Sequence, residues 1–277
     1  MTNGRNALSG AHPHRQPGDL SRRAAETLAA ADFLAVEDTR VTVKLLNHLE
    51  LRKPMVIYHR HNCAQAGPAI VERLLAGESC ALVTDAGMPA ISDPGEDLVR
   101  LCAQHGIGVV PVPGACALVS AIAVSGLPTQ RFCFEGFLST ANRSRAQHLA
   151  ELKTEKRTII LYEAPHKLLN TLEDLLNTLG DRDISLCREL TKLHEQVLRT
   201  TVSGAIAHFR ETPPKGEFVL VIAGASEEVP QRATPEQALA ALLRYREAGN
   251  SLRAAAGLAA QETGWTKNEL YALGTQP

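Results

Sequence analysis

The run Val83-Thr84-Asp85-Ala86-Gly87-Met88-Pro89-Ala90-Ile91-Ser92-Asp93-Pro94-Gly95 sets two carboxylates among small and turn-forming residues. It follows an apolar strand pattern and precedes a helical one. Small residues after a strand let the backbone approach a ligand closely, and open α/β sheets bind their ligands beyond the carboxyl ends of the strands. A carboxylate there can receive a ribose hydroxyl or face a cationic sulfonium centre. Equally, aspartates in a Pro/Gly turn cap the helix that follows. A second small-residue turn, Pro111-Val112-Pro113-Gly114-Ala115-Cys116-Ala117, repeats the arrangement at the next strand end. Two such loops side by side would frame one pocket. Neither is a Gly-x-Gly-x-x-Gly turn or a P-loop, which counts against nicotinamide cofactors and nucleoside triphosphates.

Polar residues also collect at four other strand ends: Glu37-Asp38-Thr39-Arg40, His59-Arg60-His61-Asn62, Tyr162 to Lys167 and Arg188-Glu189-Leu190-Thr191-Lys192. Any one of these reads as helix capping or a surface ion pair. Four converging on one face of a sheet read better as the walls of a site. The His12-x-His14 and His59-x-His61 pairs lack carboxylate or Cys partners at metal spacing, so no metal site is expected. No Gly-x-Ser-x-Gly elbow or Cys/His motif points to a covalent nucleophile, which leaves transfer from a bound donor.

These loops need strands and helices to hold them. From Phe33 onward FLAVE, MVIY, SCALVT and GVVPV alternate with helical patterns near 40–49, 67–76 and 95–105, which predicts α/β alternation on a mainly parallel sheet. A helix over 115–125 leads to the break Gly126-Leu127-Pro128-Thr129. A second set follows: RFCFEGF, a basic helix over 143–153, RTIILYE, a helix over 165–179, ISLCREL and EFVLVIAG. The boundaries expected are an N-terminal α/β lobe over 18–115, a second α/β lobe over 116–226 and a small helical module over 233–277. The module resembles a helix-turn-helix, with Ser251 and Thr266 placed as N-caps.

Across its 277 residues the chain is 44% hydrophobic, and Lys+Arg number 29 against 30 Asp+Glu. Global charge therefore gives no support for nucleic-acid binding; a local patch is needed, and the stretch Arg143 to Arg157 is the candidate. No apolar run reaches the roughly 18 residues of a membrane span, and the first residues lack the apolar core of a secretory signal. A cytoplasmic protein without membrane contact is expected. The six cysteines are scattered through apolar runs as buried thiols.

Seven segments in order, GDLSRRAAETLAAADFLAVEDTR, VTDAGMPAISDPG, VPGACAL, SGLPTQRFCFEGFL, RTIILYEAPHKL, CRELTKLHEQVLR and PPKGEFVLVIAG, resemble the ribosomal RNA small-subunit methyltransferase I family, which makes 2′-O-methylcytidine in 16S RNA. The resemblance runs from about Gly18 to Gly224. It implies a two-lobed tetrapyrrole-methylase fold, S-adenosylmethionine held in the cleft between lobes, the small ribosomal subunit as partner and a homodimer. By position it assigns cofactor binding to Asp85, Ala86, Gly87, Ile91, Cys116, Ala117, Tyr162 and Glu163. Glu189 or Asp38 is the expected proton acceptor, with Arg40 and Lys192 holding phosphate or lowering the hydroxyl's pKa. Met88 stands where the family has Thr, and Ala115-Cys116 where it favours Pro-Ser. Two other functions use the same fold: a methyltransferase acting on a precorrin-type tetrapyrrole, and a non-catalytic RNA- or ribosome-binding protein.

Related proteins open with a hydrophobic strand. Here Ser9 to Pro17 contain no β-branched run and two prolines, so the first strand of lobe one is expected to be missing, residues 1–17 loosely draped and a sheet edge left open.

Overall fold

A computed structural model describes residues 16–226 and 232–275, together with the backbone of residues 6–10. By its contacts the chain divides into two units, residues 1–224 and 225–277.

The larger unit holds two sheets. In the first, β1 (Asn6–Gly10), β2 (Phe33–Val36), β3 (Met55–Ile57), β4 (Cys80–Val83) and β5 (Gly108–Val112) lie in the order β3-β2-β4-β1-β5. Every pairing is parallel. The helices α1 (Arg22–Ala30), α2 (Thr39–His48), α3 (Cys63–Leu75) and α4 (Glu96–Gln104) supply the crossovers. Strands β2 and β4 are buried along their whole length, as continuous apolar runs in a covered parallel sheet must be. Phe33 and Ala35 pack into one core, and Leu34 and Val36 into a second on the opposite face, the period-two alternation of a strand with helices on both sides.

The expected missing strand is a correction: β1 is present and central. Leu8 is in register with Ala81 on one side and Val110 on the other. The edges of the sheet are β3 and β5. A central strand is fixed by backbone ladders on both sides, so the weak propensity of Asn-Ala-Leu-Ser-Gly does not decide the matter. Pro13 and Pro17, which argue against a strand, both fall after it; Pro17 opens a short 3-10 turn through Asp19. Residues 1–5 and 11–15, where loose draping is expected, lie outside the described residues.

Helix α5 (Ala117–Ser125) joins the sheets, and it packs on the second one. That sheet contains β6 (Phe132–Phe134), β7 (Thr158–Glu163), β8 (Asp183–Arg188), β9 (Gln196–Thr201) and β10 (Phe218–Ile222) in the order β6-β7-β10-β8-β9. Only β6 and β7 run parallel; the other pairings are antiparallel, whereas the first sheet is parallel as its sequence predicts. Helices α6 (Asn142–Leu152), α7 (Leu168–Leu179) and α8 (Val202–Glu211) cover one face. Leu118, Ala121 and Ile122 of α5 cover the other, against Ile160, Val219 and Val221.

The smaller unit consists of α9 (Pro235–Glu247), α10 (Leu252–Thr263) and α11 (Lys267–Leu273). Ala238, Ala255, Ala256 and Ala259 are fully buried, so the helices approach closely. Ser251 and Thr266 cap α10 and α11 through their hydroxyls, as their positions predict, and Thr266 with Glu269 forms a capping box.

Because β1 lies between two partners, its removal detaches β5 and leaves β4 as an open edge. Deleting residues 1–10 is expected to lower the melting temperature by about 10 °C or more, measured by calorimetry. An unchanged transition would mean that the other four strands hold the sheet alone.

Candidate active site

A cavity of about 270 Å³ opens between the two sheets of the larger unit. From the first sheet it takes Ala86, Gly87, Met88, Ile91 and Asp93 of the loop after β4, and Ala115, Cys116 and Ala117 of the turn after β5. From the second it takes Tyr162 and Glu163 at the end of β7, Glu189 to Lys192 after β8, and Phe137 after β6.

The loop after β4 is bent by its own backbone. Thr84 is buried, and its hydroxyl donates to the carbonyls of Ala86 and Gly87 at 3.3 and 3.4 Å. Gly87 has φ 75°, and Ala90 and Ser92 hold φ 67° and 63° without being glycine. Across the cavity Glu189 and Thr191 do the same, with φ 49° and 63°. Such conformations cost about 1–3 kcal/mol each and persist only where the surroundings fix them. Here the Glu189 amide donates to the Glu217 carbonyl, and the Thr191 amide to Glu195 Oε2 at 2.6 Å. Gly216, φ 81°, passes so close to Glu189 that a Cβ there would overlap its side chain.

Four carboxylates line the site, Asp93, Glu163, Glu189 and Glu217. Glu163 is 4% exposed; its Oε1 accepts from the Ala164 amide at 2.8 Å and its Oε2 from the Thr171 hydroxyl at 2.5 Å. Thr171 in turn accepts from Arg145, whose Nε also pairs with Asp174 at 2.7 Å. The ammonium of Lys192 lies 2.9 Å from Glu189 and 2.8 Å from Glu217. Its pKa is raised: burial works against the charge, and the two carboxylates outweigh it. Asp93 is pushed up to about 7, first by burial and then by the charges of Glu37, Asp85 and Glu217, with Arg60 opposing.

The sequence assignments separate into two groups. Ala86, Gly87, Ile91, Cys116, Ala117, Tyr162, Glu163, Glu189 and Lys192 all line the cavity. Asp85 stands one residue before the first lining residue, its amide facing Glu37 Oε2 at 3.5 Å. Asp38 and Arg40 are not among the lining residues. Asp38 caps α2, accepting from the Arg40 amide at 2.8 Å, and its carboxylate takes the Arg40 guanidinium at 2.5 to 3.1 Å. Those hydrogen bonds hold its pKa down to about 2. Of the basic stretch 143–157, Arg145 and Arg157 are committed to Asp174 and Glu155. Among the lining residues outside the sequence assignments are Asp93, Phe137 and Glu217. Asp93 was visible as the second carboxylate of its loop, but only burial among three other acids distinguishes it.

Residues 13–206 match the family model of Tetrapyrrole (Corrin/Porphyrin) Methylases. A ribosomal RNA small subunit methyltransferase I of Synechocystis sp. is 49% identical over 92% of this chain and 92% of its own length. The protein of the same name in Escherichia coli O157:H7 is 41% identical over 91% of this chain and 88% of its own. The chain belongs to the ribosomal RNA small subunit methyltransferase I family. Among solved structures, cobalt precorrin-4 methyltransferase of cobalamin biosynthesis superposes with TM-score 0.57 at 19% identity, covering 78% of this chain and 93% of that one. Uroporphyrin-III C-methyl transferase from Thermus thermophilus, complexed with S-adenyl homocysteine, gives 0.55 at 18% over 79% and 97%. Within this methyltransferase family the walls described above fit a charged nucleoside ligand. Ala86, Ala115, Ala117 and Ala164 leave room for flat rings, while Glu163, Asp93 and Glu189 suit hydroxyls and positive charge.

The Arg145–Thr171–Glu163 chain generates a test of how this wall is held. Thr171→Val keeps the shape but removes the hydroxyl donor from a buried carboxylate, and should cost about 1–3 kcal/mol in urea unfolding. Thr171→Ser should recover most of the loss. Equal stability of the Val variant would show that Glu163 is held by the Ala164 amide alone.

Proposed function

We propose that this chain transfers a methyl group from S-adenosylmethionine to a cytidine ribose 2′-hydroxyl in the 16S RNA of the small ribosomal subunit. The observation that carries the reading is Asp93: a carboxylate on the wall of a small-residue cavity, poised near neutrality, in a chain whose relatives are named for small-subunit ribosomal RNA. Bound S-adenosylmethionine supplies an electrophilic methyl group. Ala86 to Ile91 and Cys116-Ala117 would hold it against backbone, with Tyr162 and Glu163 closing the opposite wall.

A ribose hydroxyl is a poor nucleophile, so the site must position it and take its proton as the new C–O bond forms. Asp93 does the second. With a pKa of about 7 it is substantially ionised at neutral pH and still basic enough to accept a proton. Asp38, held to about 2 by Arg40, is a far weaker base, and Glu189 is occupied by Lys192. Lys192 and the exposed Arg40 face the RNA and its phosphates.

A cytoplasmic location follows from this substrate; no helix among the described residues is long and apolar enough to cross a membrane. The homodimer would bury the exposed valines of α5, Val119 and Val124. Val119→Asp with Val124→Asp should halve the mass measured by light scattering.

Asp93→Asn should lower kcat by about 10²–10⁴-fold in transfer of labelled methyl to 30S subunits, with cofactor affinity retained. Wild-type activity should rise with pH through a midpoint near 7. Stability should move the other way. The folded carboxyl ionises near 7 and the unfolded one near 3.8, so the native state holds the extra proton between them. Stability therefore falls as pH rises through that window, and the whole penalty is present above it. Asp93→Asn should melt a few degrees higher than wild type above pH 7 while transferring almost nothing. Label entering a precorrin but never 16S RNA would overturn the substrate; an Asn variant with normal turnover would remove Asp93 from the chemistry.

Arg40→Ala should weaken RNA transfer more than cofactor binding. The salt dependence of its RNA binding should be shallower by about one in log–log slope, because one phosphate contact is gone. A change confined to the cofactor constant would place Arg40 on the wrong side of the site.

A further inference from the structure

Phe137 combines two properties that rarely occur together. It lines the cavity, yet 54% of it is exposed. A half-exposed aromatic ring on a cavity wall presents a flat apolar face that a planar ligand can cover.

The ring is held firmly. Gly136, immediately before it, has φ 61°, and its carbonyl accepts the Tyr162 amide at 2.8 Å. Tyr162 meets the Phe137 ring edge-on, with centroids 5.7 Å apart and planes at 65°. Tyr162 is itself fixed twice. Its ring lies 4.9 Å from Phe134, and its hydroxyl accepts the Leu118 amide at 3.1 Å. An edge contact from Tyr162 leaves ring surface of Phe137 free.

The position of the ring relative to the acceptor matters most. A Cβ built on Gly136 would lie 3.3 Å from the Ser92 hydroxyl, so the loop carrying Phe137 meets the loop carrying Asp93 at the residue before each. A ribose placed with its 2′ oxygen at Asp93 carries its base only about one sugar width away. The exposed aromatic ring that lines the same cavity is Phe137, and the cation that lines it is Lys192.

We propose that Phe137 is the stacking platform for the target nucleobase: a flipped-out pyrimidine lies on its free face and so delivers the 2′-hydroxyl to Asp93. This rests on the RNA reading above and adds the device that receives the nucleotide. Proteins that read unpaired RNA stack splayed bases on aromatic rings, and a reaction at a ribose oxygen inside a cleft requires the nucleotide to leave its neighbours. Stacking is tolerant of base identity, so Phe137 supplies position while other contacts choose the nucleotide.

The test compares Phe137→Ala, Phe137→Leu and Phe137→Trp in the full-length protein. The readouts are methyl transfer to 30S subunits and S-adenosylhomocysteine binding by calorimetry. Loss of one stacked base should lower kcat/KM for 30S subunits by about tenfold or more in both the Ala and Leu variants, with the Trp variant close to wild type. Cofactor-product affinity should be the same in all four proteins. A Leu variant as active as wild type would overturn the proposal, because apolar bulk would then suffice. So would cofactor affinity falling in step with kcat/KM, because the ring would then pack the cofactor. Should the Ala variant melt early, the Leu and Trp pair still decides, since both fill the space. Failure of the wild-type protein to label 16S RNA would instead sink the parent reading.

Discussion

The site depends on backbone held where side chains ordinarily forbid it. Ala90, Ser92, Glu189 and Thr191 are four of the five non-glycine residues with positive φ among the described residues, and they flank the cavity in pairs. At about 1–3 kcal/mol each, their strain approaches the net stability of an ordinary domain. It is offset by contacts that depend on the rest of the fold: the Ala90 amide donates to the Pro94 carbonyl, Glu189 is clasped by Lys192 and Gly216, and the two cores anchor each loop at its strand. Two separate cores therefore matter more than one large one. Each holds its loop in place, and the cavity is the space between them.

That space is unequally charged. Asp93, Glu163, Glu189 and Glu217 line it, with Lys192 as the lining cation. Lys192 pairs with two of the acids, and Glu163 is stabilised by hydrogen-bond donors. Asp93 is pushed toward holding its proton, first by burial and then by three other acids. An apolar substitution at Glu217 or Glu37 would act on Asp93 without touching it. The same surplus of negative charge favours a cationic ligand in the cavity, so one electrostatic arrangement serves both the donor and the acceptor.

The two glycine- and proline-rich loops were legible in the sequence because turn chemistry is local: which residues follow a strand largely decides that backbone will line a pocket. The strands Phe33–Val36 and Cys80–Val83 were legible because a buried parallel strand is a continuous apolar run. Strand β1 was not, since Asn-Ala-Leu-Ser-Gly is a strand only between β4 and β5. Nor were β9 and α8, where Gln-Val-Leu-Arg-Thr-Thr is half exposed and passes directly into a helix capped by Thr201. Asp38 and Arg40 are neighbouring candidates in the sequence, and in space they are joined as a helix cap and its ion pair, a commitment the sequence pattern does not reveal. Asp93 is the converse case. Its basicity arises first from burial and then from residues 37, 85 and 217, which no local pattern connects.

Fold and substrate separate cleanly in this molecule. Chains below 20% identity that are named for corrin and porphyrin chemistry share its architecture, so the two sheets and the small-residue walls cannot by themselves select an RNA. Selection must come from groups that the cofactor cradle does not need. On the second lobe these include Phe137, more exposed than any other aromatic ring lining the cavity, and Lys192; Leu193, 91% exposed, follows in the next turn. An apolar side chain at a rigid loop tip gains nothing from water and contributes only when another surface covers it. The strained residues Glu189 and Thr191 therefore have a second consequence besides shaping the pocket. They hold the chain in a turn that presents Leu193 outward, so the same backbone that closes one wall of the cavity also shapes the surface next to it.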